Sequence, residues 1–178
     1  MPITPETRAQ AQDLLQFIDA SPSPWHAVHT MEQRLQAHGY TRLEEKQRWQ
    51  LEQGKGYYVV RGGASIIAFR VGQQPLADSG FRMIGAHTDS PGLRLKTNAA
   101  HASDGMLRLG VEIYGGPILA TFTDRDLSLA GRVNIRTANG FETRLIKFDT
   151  PLLRLPNLAI HMNREVNEQG LKLNKQTE

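Results

Sequence analysis

An apolar run that stops on a histidine and a carboxylate constrains this chain more than any other stretch. Phe81–Ala86 reads FRMIGA, and His87-Thr88-Asp89 follows, then the turn formers Ser90, Pro91 and Gly92. A run of this length bounded by a turn is the pattern of a buried strand. In open α/β sheets, ligands gather beyond the carboxyl ends of strands. Residues two apart in an extended chain point to one side, so His87 and Asp89 would share a face with Thr88 turned away. A carboxylate beside an imidazole fixes its tautomer and raises its basicity, as in carboxylate–histidine–zinc pairs. Two readings fit this pattern: a metal-binding pair, or a hydrogen-bonded pair at a strand end.

The flanking sequence predicts helices before this run and strands around it. Thr4 caps a first helix with Pro5 at its first position, and Leu14, Leu15 and Ile18 form an apolar stripe. Ser21-Pro22-Ser23-Pro24 breaks that helix and starts a second, capped by Ser23 and ended by Gly39, with Ala27, Val28, Met31 and Leu35 as its buried face. His26 and His29 can share a face of it, and with His38 they read as surface or packing residues, since no carboxylate stands at ligand spacing. Tyr57–Val60 and Ile66–Val71 flank Gly62-Gly63 and read as a hairpin, with Phe81–Ala86 as a third strand. Helices, then strands, then a site at a strand end is an α/β opening.

Beyond Lys96 the pattern changes. Asn98–Gly105 is small and polar and reads as a loop or domain boundary. Met106–Ile113, Leu127–Ile135 and Phe141–Phe148 read as strands, the last two joined by Thr137-Ala138-Asn139-Gly140, where Asn-Gly is a hairpin signal. The division predicted is residues 1–96 as an α/β part and 97–178 as a β-rich part. Asp124-Arg125-Asp126 is open to two readings, a carboxylate dyad or an ion pair in a turn. His161 and Glu165, four apart, would share a face on a helix, as ligands or as a simple pair.

Composition removes several classes of function. The 178 residues include no cysteine, which excludes disulfides, thiolate zinc sites and thiol chemistry. A net charge of +3, without a basic run, does not suggest nucleic-acid binding. No stretch is apolar enough to span a membrane, and the first residues lack a signal-peptide pattern. These features fit a cytoplasmic protein.

Taken together, IGAHTDSPGLRLK, GVEIYGGPILATFTDRDLSLAGRV and LLRLPNLAIHMNREVNE resemble, in order and separation, the aspartyl aminopeptidase family of two-metal zinc peptidases. ASPSPWHAV resembles that family's start. The resemblance runs from about Leu14 to Glu168. It implies an α/β zinc-peptidase domain into which a β-rich dimerisation domain is inserted, and oligomeric assembly. It implies His87 as a zinc ligand and Asp89 as the catalytic-site carboxylate that orients it. For His161 it implies either a metal ligand or a residue that reaches substrate in a neighbouring subunit; its place in the inserted part favours the second. The implied reaction is zinc-dependent removal of an N-terminal residue, an acidic one, from a peptide. Gly92 stands where the family commonly has Cys, and Thr123 where an aromatic is usual. The family chain is more than twice as long, and the tail 171–178 offers no closing element, so the reading is of a truncated chain. The bridging Asp, the Glu-Glu pair with the general base, a further Asp ligand and the last His have no counterpart here.

Overall fold

The computed structural model describes residues 3–173, so residues 174–178 of the tail lie outside the described residues. Two compact units divide the chain. One runs to Asp89 and takes in Ala130–Lys147; the other comprises Ser90–Leu129 and the chain from Phe148 onward.

In the first unit, α1 (Pro5–Ala20) starts where the sequence predicts. The Thr4 hydroxyl accepts from the Thr7 N–H at 3.2 Å, satisfying one of the donors a helix start leaves open. Helix α2 (Pro24–Ala37) is capped by Ser23, and Gly39 takes φ 77° beyond its end, a conformation that favours glycine. Arg34 of α2 pairs with Asp13 of α1 at 2.9 Å. Strand β1 (Thr41–Arg42) runs parallel to β2 (Gly56–Arg61), which pairs antiparallel with β3 (Ser65–Arg70) across the Gly62-Gly63 turn. The buried residues among those described all lie in this unit: His26, Ala27 and Val28 of α2, and Tyr57, Tyr58 and Val59 of β2. Gln36 of α2 donates to the Tyr58 hydroxyl at 2.7 Å, so the core tyrosine keeps its polar end satisfied.

The hairpin β7 (Ala130–Thr137) and β8 (Gly140–Lys147) belongs to this same unit. Arg132 of β7 lies with its guanidinium 4.9 Å from the Trp25 ring centre and donates to the Gly62 carbonyl at 2.9 Å. Lys147 donates to the Asp19 carbonyl at 2.7 Å. Thr137 pairs with Gly140, so the hairpin closes on the expected stretch Thr137-Ala138-Asn139-Gly140 with Ala138-Asn139 as its loop residues.

Two expectations fail here. Phe81–Ala86 is not a strand: it lies outside every helix and strand, after the short α3 (Leu76–Ser79). Phe81 is 74% and Met83 87% exposed, and Ile84 is fully exposed. A strand exists only within a ladder, and among the described residues none pairs with this run. β3 likewise pairs on one side only. The apolar stripe of α1 is also uncovered, with Leu14, Leu15 and Ile18 all exposed. A globule of this length would bury roughly 70% of its unfolded surface. The six buried residues named above fall well short of the core such a globule requires.

The second unit is hairpin-based. β4 (Gly92–Ser103) pairs antiparallel with β5 (Met106–Tyr114), and a bulge sets residues 96–99 opposite Gly110. The small polar stretch from Asn98, expected as a loop, is therefore strand up to Ser103. Its composition appears instead as this bulge, where an extra-long segment bends one strand without ending it. A 3-10 turn (Leu119–Phe122) leads to β6 (Asp126–Leu127), which pairs with β9 (Leu153–Arg154). A single turn, α4 (Val166–Gln169), is the last helix or strand among the described residues. No described residue of this unit is fully buried. Among the described residues no helix is long and apolar enough to cross a membrane.

Candidate functional site

His87 follows the exposed apolar run and is itself exposed. One bond holds its chain segment and another holds its ring. Thr88 donates through its hydroxyl to the Ala64 carbonyl at 2.8 Å and ties this segment to the β2–β3 turn. His87 Nδ1 lies 2.6 Å from the main-chain oxygen of Asp89. A carbonyl oxygen only accepts, so Nδ1 must carry the proton in that bond. The neutral ring then has its lone pair on Nε2, the form in which imidazole binds a metal. The Asp89 carboxylate lies farther off, with Oδ1 at 3.6 Å from Nδ1. The family resemblance gives the orienting role to this carboxylate, whereas in the structure the hydrogen bond comes from the same residue's backbone.

Zinc in catalytic sites typically takes three protein ligands and leaves a position open. His87 fits as one such ligand. Among the described residues, however, no group of three or more His, Asp or Glu side chains could hold a metal ion. The described residues do not make a zinc site by themselves.

In the second unit, the Asp124-Arg125-Asp126 stretch is no dyad. Asp124 lies in a turn at φ 54°, and Asp126 begins β6. Asp126 pairs with Arg154 of β9 at 3.2 Å, a partner that short-range sequence reasoning missed because it is distant in the chain. Arg125 approaches the Thr121 carbonyl at 3.5 Å instead. The Asp124 carboxylate accepts from Asn157, and these bonds, the Asn157 backbone N–H first, hold its pKa below the ordinary value. His161 sits in a turn in which Met162 N–H and Asn163 N–H donate to the Ala159 carbonyl. No helix sets His161 and Glu165 on one face, since α4 begins only at Val166.

His26 is the other chemically distinctive histidine. It is 9% exposed, and its Nδ1 lies 2.7 Å from the Ser23 hydroxyl. Burial, then the nearby Lys147 charge, then His29, lower its pKa from the ordinary 6.5. The folded state thus binds a proton there less readily than the unfolded chain. Stability from this group is complete above the unfolded value and is lost as pH falls from about 6.5 through the lower folded value. Urea midpoints measured from pH 7.5 to pH 5 are expected to fall with pH in the native chain, with a shallower fall in His26→Gln.

Comparison with known proteins decides what these pieces belong to. Residues 17–178 match the family model of the aminopeptidase I zinc metalloproteases (M18). The chain belongs to this M18 family. A probable M18 family aminopeptidase 2 of Pseudomonas paraeruginosa is 50% identical over 167 residues, which cover 94% of this chain but 39% of that protein. The cryo-EM structure of the Ape4 and Nbr1 complex matches at a TM-score of 0.90 and 42% identity, over 100% of this chain and 35% of that one. The mApe1 dodecamer of S. cerevisiae matches at a TM-score of 0.77 and 30% identity, over 85% of this chain and 36% of that one. This chain therefore spans well under half the length of the M18 relatives it matches. The helices and mixed sheet of the first unit agree with the expected α/β character.

Proposed function

We propose that this chain carries one part of a zinc-dependent aminopeptidase that removes N-terminal Asp or Glu from peptides. In this reading His87 holds one of two zinc ions through Nε2. Asp89 orients His87, through its carbonyl and, at longer range, its carboxylate. His161 contacts the substrate of a neighbouring subunit, with a role as metal ligand the lesser alternative. Residues 97–178 supply part of a β-rich dimerisation domain, and the working form is a cytoplasmic homo-oligomer. The remaining ligands and the general base come from polypeptide equivalent to the part of the M18 relatives that this chain does not match. The observation that carries this reading is the Nδ1–H bond to the Asp89 carbonyl, which presents Nε2 as the metal-ready nitrogen.

A second reading is favoured by the uncovered row Phe81, Met83 and Ile84. In it, the 178-residue chain alone is a catalytically silent piece that retains association surfaces. Large exposed apolar patches mark interaction sites or aggregation liabilities.

Zinc titration followed by imidazole NMR, with mass by light scattering on the same sample, tests both readings. The first expects zinc to perturb the His87 ring with weak, single-ligand affinity, and this response to vanish in His87→Ala. The second expects self-association with no His87 response. Tight binding of two zinc ions by a monomer would contradict both.

A further inference from the structure

Asp124 occupies the left-handed region at φ 54°, where few residues other than glycine are comfortable and Asp and Asn are the usual exceptions. It uses every polar group it has on one short segment. Its N–H donates to the Leu155 carbonyl at 2.9 Å, and its carbonyl accepts from Arg154 Nη2 at 3.2 Å. Its carboxylate grips Asn157 twice: Oδ1 accepts the backbone N–H at 3.1 Å, and Oδ2 accepts from Nδ2 at 2.8 Å. Thr123, the preceding residue, bridges to Leu155. Between that bridge and α4 there is no helix or strand, and His161 lies in this stretch, four residues past Asn157. The turn at Ala159–Met162 is closed by its own backbone, so its path is set where the stretch is fastened, at Asn157.

We propose that Asp124 is a positioning residue for His161, acting through its two-pronged hold on Asn157. The assignment of a use to that position rests on the proposed substrate role of His161. The chemistry of the hold is specific. A carboxylate offers two acceptors and Asn157 offers two donors. Asp124→Asn sets an amide N–H₂ against the Nδ2 of Asn157, donor against donor. Asn157→Asp sets acceptor against acceptor. Exchanging both residues restores the match: Asn at 124 accepts the backbone N–H through Oδ1 and donates through Nδ2 to the new carboxylate. Asn also tolerates the left-handed backbone, and the net charge is unchanged.

The test uses the isotopically labelled 178-residue chain, reading the His161 ring signals and the hydrogen exchange of the residue-157 amide. Asp124→Asn and Asn157→Asp are each expected to shift the His161 signals and to speed that exchange about tenfold or more, in line with loss of a charge-assisted hydrogen bond. The double exchange is expected to return both readouts toward the native chain. Should the single variants also erase the β4–β5 amide pattern, Asn157→Ala decides, since it removes one prong and keeps the backbone N–H. Unmoved His161 signals in the folded single variants, or a double variant no closer to native than its parents, would overturn the proposal. These readouts need no catalysis, so a failed substrate role for His161 would leave them unchanged and the positioning result would stand by itself.

Discussion

Incubated at neutral pH with zinc in excess, the purified 178-residue chain is expected to release no N-terminal aspartate from a peptide above the enzyme-free rate. The expectation follows from donor arithmetic. A catalytic zinc typically takes three protein ligands, and a two-metal site holds its ions about 3.5–4 Å apart in one shared cage. The proposed site has His87 as its ligand and Asp89 behind it, and no three-donor group exists among the described residues. A missing general base alone typically costs about 10²–10⁴-fold, before any deficit in metal affinity is counted. The measurement is chromatographic detection of free aspartate, with and without chelator, on material purified by gel filtration. Chelator-sensitive release that co-elutes with the chain would refute the expectation. It would also require a donor set assembled in some way the present fold does not show.

The second large effect is expected in the core of the first unit. Tyr58 is 0% and Val28 1% exposed, and Tyr58 ties β2 to α2 through the bond from Gln36. Truncating a buried aromatic to alanine typically costs about 3–5 kcal/mol, because the transfer energy is lost and a cavity remains. Domains are stable by only about 5–15 kcal/mol, and this unit buries few residues. Tyr58→Ala should therefore leave the first unit largely unfolded at room temperature. Tyr58→Phe keeps the ring and removes only the hydroxyl, at a cost of about 1 kcal/mol. Urea titrations of both variants, followed by far-ultraviolet circular dichroism, separate the two outcomes. A Tyr58→Ala chain within about 1 kcal/mol of native would show that the core lies elsewhere.

Local chemistry is legible in the residues themselves. Thr4-Pro5 and Ser23-Pro24 mark helix starts because a hydroxyl cap and a ring-fixed φ act within one turn. Gly62-Gly63 marks the β2–β3 turn for the same kind of reason, since φ above zero is needed there and costs glycine little. The family is legible as well: ASPSPWHAV, IGAHTDSPGLRLK and PNLAIH carry the resemblance that the M18 match bears out. The strand reading that failed depends on a partner distant in the chain. An apolar hexapeptide such as FRMIGA specifies a strand only if a neighbour supplies the ladder, and none of the described residues does so. The His161–Glu165 spacing implies a shared face only on a helix, and the turn bonds to Ala159 take its place.

What the sequence by itself determined is therefore the set of local commitments: two capped helices, two glycine- or asparagine-marked hairpins, a cysteine-free chain and membership in a zinc aminopeptidase family. What only the tertiary structure decided is which groups meet. It showed that the Asp89 backbone takes the first hydrogen bond to His87, that Arg154 is the partner of Asp126, and that Asp124 closes on Asn157. The physical reason is range. Caps, turns and φ preferences are settled within about four residues, whereas Asp124 and Asn157 are 33 residues apart in the chain, and such a pair forms only once strands β6 and β9 have brought it together.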